Sequence, residues 1–252
     1  MKTSQSLSQL TPDATIEQIV AANETAGELL RSIGLSVSKH EDETLRSVCQ
    51  QQKWSESEVL SWVKKHSLNT NGDTVTQVKE PSPPEDADLA AWTSYLKKYF
   101  VSSNRSLLQE LNESFLRVHK IHGNQYPWLK NVEWYFEKFR EALEMYYAFE
   151  VEKFFPLCQQ VSSNKARSLN HGSVQKLEKS FSIIERDQDR LNRQMSTIRE
   201  KGNQFENPAN ACSTLRIQNE NFSILFSQLE KQFDLENNHL IPGIKKELKA
   251  KR

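Results

Sequence analysis

Glycine and proline are scarce in this chain: 7 and 8 in 252 residues. Both residues punctuate turns, so their shortage argues against a turn-rich β architecture and favours long helices. Cysteine is scarcer still, and Cys49, Cys158 and Cys212 form no Cys-x-x-Cys pair and suggest no disulfide framework. Net charge is absent, with 33 basic side chains balancing 33 acidic ones. A chain without a global field offers no compositional support for binding nucleic acid or an acidic membrane. No apolar run approaches bilayer-spanning length, and Met1 to Leu10 lacks the apolar core of a signal peptide. The expectation is a soluble, cytoplasmic protein. The one basic run, Lys245 to Arg252, reads as a solvated helix end complementing the helix dipole. No Gly-rich phosphate loop and no Ser-His-Asp or Cys-His order stands out, so an enzyme is not the favoured class.

What the chain does have is helical periodicity. Residues 1–12 read as a disordered tail, and residues 13–66 as a small helical N-terminal domain. In that domain Asp13 or Thr15 serves as the first cap, and Ile16, Ile19, Val20, Leu29, Leu30 and Ile33 are the apolar positions. Gly34 is the stop signal. Thr44 opens a further helix with Leu45, Val48 and Cys49 inward, and Ser55 with Glu58 has the capping-box spacing ahead of Val59, Leu60, Trp62 and Val63. Residues 67–86, with Pro81-Ser82-Pro83-Pro84, lack periodic apolar positions and read as a flexible linker. Residues 87–252 hold four long helical patterns, from about Asp88 to His122, Pro127 to Leu157, Gly172 to Lys201 and Pro208 to Leu248. Short connections between long helices predict an all-α fold: an up-down four-helix bundle behind a small helical domain.

Two stretches of the bundle echo one another. Tyr146 is followed four places on by Glu150, then by an apolar run and Pro156; Gln232 is followed by Glu236, then Leu240-Ile241 and Pro242. Positions i and i+4 share one helix face. Histidines at 146 and 232 would make two His-x-x-x-Glu motifs suited to a pair of metal ions, but neither position carries one.

The segment Asn207-Pro208-Ala209-Asn210-Ala211-Cys212 through Arg216, followed by Leu235-Glu236-Asn237-Asn238-His239-Leu240-Ile241-Pro242, resembles the last helix of the iron–sulfur-cluster repair di-iron proteins. Glu150 to Pro156 and Val118 to Gly123 are similar to the ends of that family's second and first bundle helices. Ile33-Gly34-Leu35 through Thr44-Leu45 and Cys49 resembles its small N-terminal domain, so the likeness runs over nearly the whole chain in order. It implies a hemerythrin-like bundle, two irons held by histidines and two carboxylates, and restoration of iron–sulfur clusters under nitrosative or oxidative stress.

Carried onto this sequence, the resemblance makes Glu150 and Glu236 the two carboxylate ligands. Asn104, Tyr146, Gln188 and Gln232 stand where ligands are expected, and His122 stands where the family usually has a histidine. Ser38 and Lys39 replace the family's adjacent cysteine pair. Amides are weak ligands for iron, and tyrosine binds it only as phenolate. The expectation is therefore a degenerate member with no intact di-iron site and no cofactor, its amide and phenol donors hydrogen-bonded to two buried carboxylates, at least one of them protonated. The alternative is a remodelled site in which His122, Glu150, Glu236 and Tyr146 hold a single iron; His119 with His122, and Glu236 with His239, add weaker i,i+3 pairs. Two functions follow: repair chemistry of the family type, or a metal-free scaffold for a protein partner such as a metal-bearing relative. The oligomeric state is open, with a dimer among the options.

Overall fold

The computed structural model describes residues 6–68, 88–162 and 171–250. Among them the chain is all-α, with eight helices and no strand; one isolated antiparallel bridge joins Thr15 and Thr44. The chain divides into two compact units. The first is Met1–Pro81 with Asn207–Glu220, and the second is Ser82–Glu206 with Asn221–Arg252. This corrects the expected boundary, which assigned all of 87–252 to the bundle. Of the expected linker 67–86, everything from residue 69 lies outside the described residues.

In the first unit the helix starts follow from their caps. Thr15 and Gln18 form a reciprocal capping box at helix Ile16–Ala22. Asn23 accepts from the Ala26 amide at the start of Glu24–Ser32, and Thr44 from the Ser47 amide at the start of Leu45–Gln52. The capping box expected at Ser55 is half formed. Ser55 Oγ accepts from the Glu58 amide (3.3 Å), but the Glu58 carboxylate turns to Ser213 Oγ (2.7 Å) and Thr214 Oγ1 (3.0 Å) instead. Arg216 adds to this clasp. Its guanidinium donates to the carbonyls of Ile33 and Ala211 (3.1 Å each) and lies 5.0 Å from the Trp54 ring. These bonds explain why residues 207–220 belong to the first unit, and the fourth long helix begins at Ser213 rather than Pro208.

The expected tail is also shorter than 12 residues. Leu7–Gln9 form a 3-10 turn, Leu7 and Leu10 are buried, and Lys64 Nζ donates to the carbonyls of Ser8 and Leu10. Leu30, Ile33, Leu45, Val48, Cys49 and Val59 fill the core of this unit. Burial pushes the Cys49 thiol up to about 12, so it is an inert core residue.

The second unit is built on four long helices. The first comprises Leu89–Leu96, a π turn Lys97–Val101 and Ser102–His122. The second comprises Trp128–Phe149, a π turn Glu150–Phe154 and Phe155–Ser162. The third is His171–Lys201. The fourth comprises Ser213–Leu235, a π turn Glu236–Leu240 and Ile241–Ala250, and its residues from Asn221 onward belong to this unit.

Cross-helix contacts fix their directions. Asn104 meets Tyr147 while Arg105 meets Glu144 and Phe115 meets Phe136, so the first two helices are antiparallel. Tyr146 meets Gln188 and the Lys138 carbonyl meets Gln194, so the third is antiparallel to the second. Phe136 meets Phe222, Phe139 meets Phe226 and Tyr146 meets Phe233, so the fourth runs parallel to the second. The four therefore alternate up and down around one apolar core in which Leu111, Phe136, Ile184 and Phe226 are fully enclosed. Pro156 and Pro242 do not end their helices. Each stands just after a π turn, where the hydrogen-bond ladder is already shifted by one residue, so the missing N–H falls at an existing irregularity.

Gly34 ends Glu24–Ser32 in the left-handed region (φ 91°), and the Leu35 amide returns to the Leu30 carbonyl at 2.9 Å. An added Cβ would also lie 2.8 Å from Arg216 Nη1. Gly34→Ala is expected to cost about 1–3 kcal/mol, read as a lower urea midpoint at unchanged slope. An unchanged midpoint would remove this turn from the determinants of the first unit.

Candidate functional site

Two carboxylates lie in the core of the second unit. Glu150 and Glu236 are each the first residue of a π turn, and both are fully buried. π turns inside α-helices are frequent at functional sites. The helix spacing behind each works as the i,i+4 rule requires. Gln232, one turn before Glu236, donates from Nε2 to Glu236 Oε1 at 2.7 Å. The same nitrogen donates to Glu150 Oε2 at 3.1 Å, so one amide group bridges the two carboxylates. Tyr146 is one turn before Glu150 but reaches across the bundle, its hydroxyl donating to Glu236 Oε2 at 2.5 Å. Gln188 on the third helix donates to that oxygen too (2.8 Å) and to the Tyr146 hydroxyl (3.1 Å).

The network continues to the first helix. Asn104 Nδ2 donates to the Tyr147 hydroxyl (2.7 Å), and the Tyr147 hydroxyl donates to Gln232 Oε1 (3.2 Å). On the other side Asn237 Nδ2 donates to Gln188 Oε1 at 2.8 Å. All four long helices thus contribute to one polar layer, in which donated hydrogens converge on Glu150 and Glu236.

The distribution of donors decides where the charge sits. Glu236 accepts three hydrogen bonds, from Tyr146, Gln188 and Gln232. Glu150 accepts one, from Gln232, and its carboxyl shares a further hydrogen bond with Glu236 itself. Burial raises the Glu150 carboxyl well above its ordinary value of 4.5, and the neighbouring Glu236 charge raises it further. Glu236 is also raised by burial, but the hydrogen bond with Glu150, and then those from Tyr146, Gln232 and Gln188, oppose the shift. Glu150 therefore holds the proton and Glu236 the negative charge. Both phenols are raised well above 10.0, chiefly by burial, so neither Tyr146 nor Tyr147 offers a phenolate.

The structure brings together Glu150, Glu236, Asn104, Tyr146, Gln188 and Gln232, and leaves His122 out. His122 lies 18 residues beyond Asn104 in uninterrupted α-helix, about 27 Å along the axis. It is buried there beside Tyr126, with Nδ1 3.4 Å from Gln125 Oε1. This corrects the expected His122–Glu150–Glu236 site. His119 pairs with Glu133 at 2.9 Å, and His239 stacks on Trp92 with ring centroids 5.1 Å apart. Ser38 and Lys39 are exposed on the turn Val37–Lys39.

As placed, the site residues do not fit a di-iron pair. Imidazole is missing from the set, the phenols are held neutral, and the Gln232 amide turns its hydrogens toward both carboxylates. Among the described residues no three His, Cys, Asp or Glu side chains group as metal ligands. Tyr147 and Asn237 belong to the layer without having been expected there. Tyr147 was detectable, since it shares a face with Glu150 at i,i+3; Asn237 carries no comparable signal.

A carboxyl whose native pKa is raised binds more protons folded than unfolded. Its contribution is complete below the unfolded value near 4.5 and is lost as pH rises toward the native one. Glu150→Gln keeps the shape and removes the proton. Wild type should lose stability relative to this variant as pH rises from acid to neutral, by up to about 1.4 kcal/mol per pH unit, in urea titrations of both proteins. Parallel profiles would show that Glu150 is ionised in the folded state.

No protein-family model matches this chain, and neither does any curated protein.

Proposed function

We propose that this protein is a metal-free helical scaffold that works by binding a protein partner, on the frame of an iron–sulfur-cluster repair protein. The observation that carries this reading is the Gln232 amide, whose nitrogen lies within hydrogen-bond reach of both buried carboxylates. An amide N–H2 group placed there supplies one hydrogen to each oxygen, and it repels a cation from the same position. Three further groups complete the shell of Glu236 or of its donors: Tyr146, Gln188 and Asn237. Such a layer meets the hydrogen-bonding demand of buried carboxyls from within the chain.

Partner binding is supported by an open cleft of about 590 Å³ beside the turn between the first two long helices. His119, Lys130, Glu133, Trp134 and Glu137 line it, and Trp134 is 58% exposed. An exposed indole among charged groups is a frequent centre of protein recognition.

A second reading is repair chemistry at an altered metal site. The π turns that begin at Glu150 and Glu236 favour it, because they point both carboxylates into the same layer. Anaerobic reconstitution with ferrous iron separates the two. The scaffold reading expects no iron retained after desalting and the same melting temperature with and without chelator. A stoichiometric iron pair, with a melting temperature lowered by chelator, would overturn it and restore the repair reading.

A further inference from the structure

The outer face of the second long helix carries a pattern that the core does not use. Between residues 131 and 149 its exposed positions are Asn131, Trp134, Lys138, Glu141 and Met145. The steps between them are three, four, three and four residues, the spacing of a coiled-coil seam. Trp134 is 58% and Met145 69% exposed, so a large apolar side chain stands in water at each end of a charged pair. Lys138 Nζ and Glu141 Oε2 form that pair, 3.3 Å apart and both more than half exposed. A solvated ion pair of this kind contributes little to the fold.

The stripe is self-complementary about a point midway between Phe139 and Arg140. Lay a second copy antiparallel across it, with a two-fold axis at that point. Trp134 then faces Met145 of the second copy, and Lys138 faces Glu141 of the second copy. The axis repeats both pairs with the roles exchanged, as an isologous interface requires. Asn131 falls opposite the small Ala148 in the next layer. A parallel pairing would set Lys138 against Lys138 and Glu141 against Glu141, so the charges select the antiparallel one. We propose that this face is the contact of a homodimer, its occupant a second copy of this chain.

Each apolar layer joins an indole to a thioether, a contact that polarisable sulfur favours. At the centre the Lys138–Glu141 pairs of the two copies merge into a ring of four charges alternating in sign. The cleft lined by Lys130, Glu133, Trp134 and Glu137 continues the face beyond Trp134, and the flexible Met145 of the second copy enters it at that end. Leu116 on the first helix, 80% exposed, follows Phe115, whose ring meets Phe136, and adds apolar surface at that level. A single helix pair lies at the small end of stable interfaces, so the dimer is reversible at micromolar concentration.

This inference rests on the reading of the protein as a partner-binding scaffold and names the partner; one experiment separates their failures. The full chain, exposed to ferrous iron and desalted, is run at micromolar to millimolar concentration through size exclusion with light scattering, and iron is measured in the peak. The expected mass rises with concentration from 29.2 kDa towards twice that value, without iron. Lys138→Glu and Glu141→Lys each set like charges across the axis and should weaken dimerisation about tenfold or more. Mixed in equal amounts, the two variants should dimerise again, because one presents only acidic groups at these positions and the other only basic ones. A defect within one helix cannot be repaired by mixing, so recovery identifies the contact as intermolecular. A wild-type mass fixed at 29.2 kDa without iron would overturn the homodimer alone. Variants that dimerise as wild type does, or that fail to recover on mixing, would overturn this face as the contact. A dimer carrying a stoichiometric iron pair would overturn the metal-free scaffold and leave the homodimer standing.

Discussion

Two carboxylic acids buried in one layer of a helical core cannot both be charged without compensation. An isolated buried carboxylate costs several kcal/mol or more. A pair placed close together adds mutual repulsion. Among the described residues no lysine, arginine or histidine is paired with Glu150 or Glu236. Compensation therefore comes from one proton and a set of neutral donors. Glu236 collects a phenol and two amides, Glu150 keeps the proton, and Gln232 ties the two together. The identities at 104, 146, 147, 188 and 232 follow from that requirement, because each must donate a hydrogen inside an apolar bundle. Histidine could donate there as well, but its second nitrogen would then need a partner of its own or a metal ion.

The backbone accommodates the same layer. Where Glu150 and Glu236 stand, the second and fourth long helices each insert a π turn, and each continues through a proline two residues beyond the turn. The first helix has its own π turn just ahead of Asn104. Three of the four helices thus depart from regular α geometry near the polar side chains, while the third, which supplies Gln188, runs unbroken from His171 to Lys201. Away from the layer the packing is ordinary. Phe115, Phe136 and Phe222 interlock through edge and tilted contacts at 5.3–6.2 Å.

The sequence displayed the all-α class through its periodicity and its lack of glycine and proline, and the ends of the long helices were legible to within a few residues. The carboxylates and their nearest donors were legible too, because Tyr146 with Glu150 and Gln232 with Glu236 obey the spacing of one helix face. His122 was misplaced for a reason the sequence itself contains: an unbroken helix from Asn104 carries it about 27 Å away. Other features depend on long-range contacts and left no local trace. Residues 207–220 join the first unit because Glu58 binds Ser213 and Thr214, more than 150 positions later in the chain. The π turns likewise have no composition of their own. Whether a helix admits an extra residue is decided by what its side chains must reach across the core.

The measurement that bears most directly on this arrangement is the infrared spectrum of the carboxyl groups at neutral pH, wild type minus Glu150→Gln. A buried protonated carboxyl absorbs as a carbonyl, well separated from the carboxylate stretches. If the layer rests on one retained proton, the difference spectrum contains a carbonyl band that shifts in deuterium oxide only after slow exchange. If the difference contains carboxylate bands alone, both acids are ionised, and a cation rather than a hydrogen-bond network must hold the layer together.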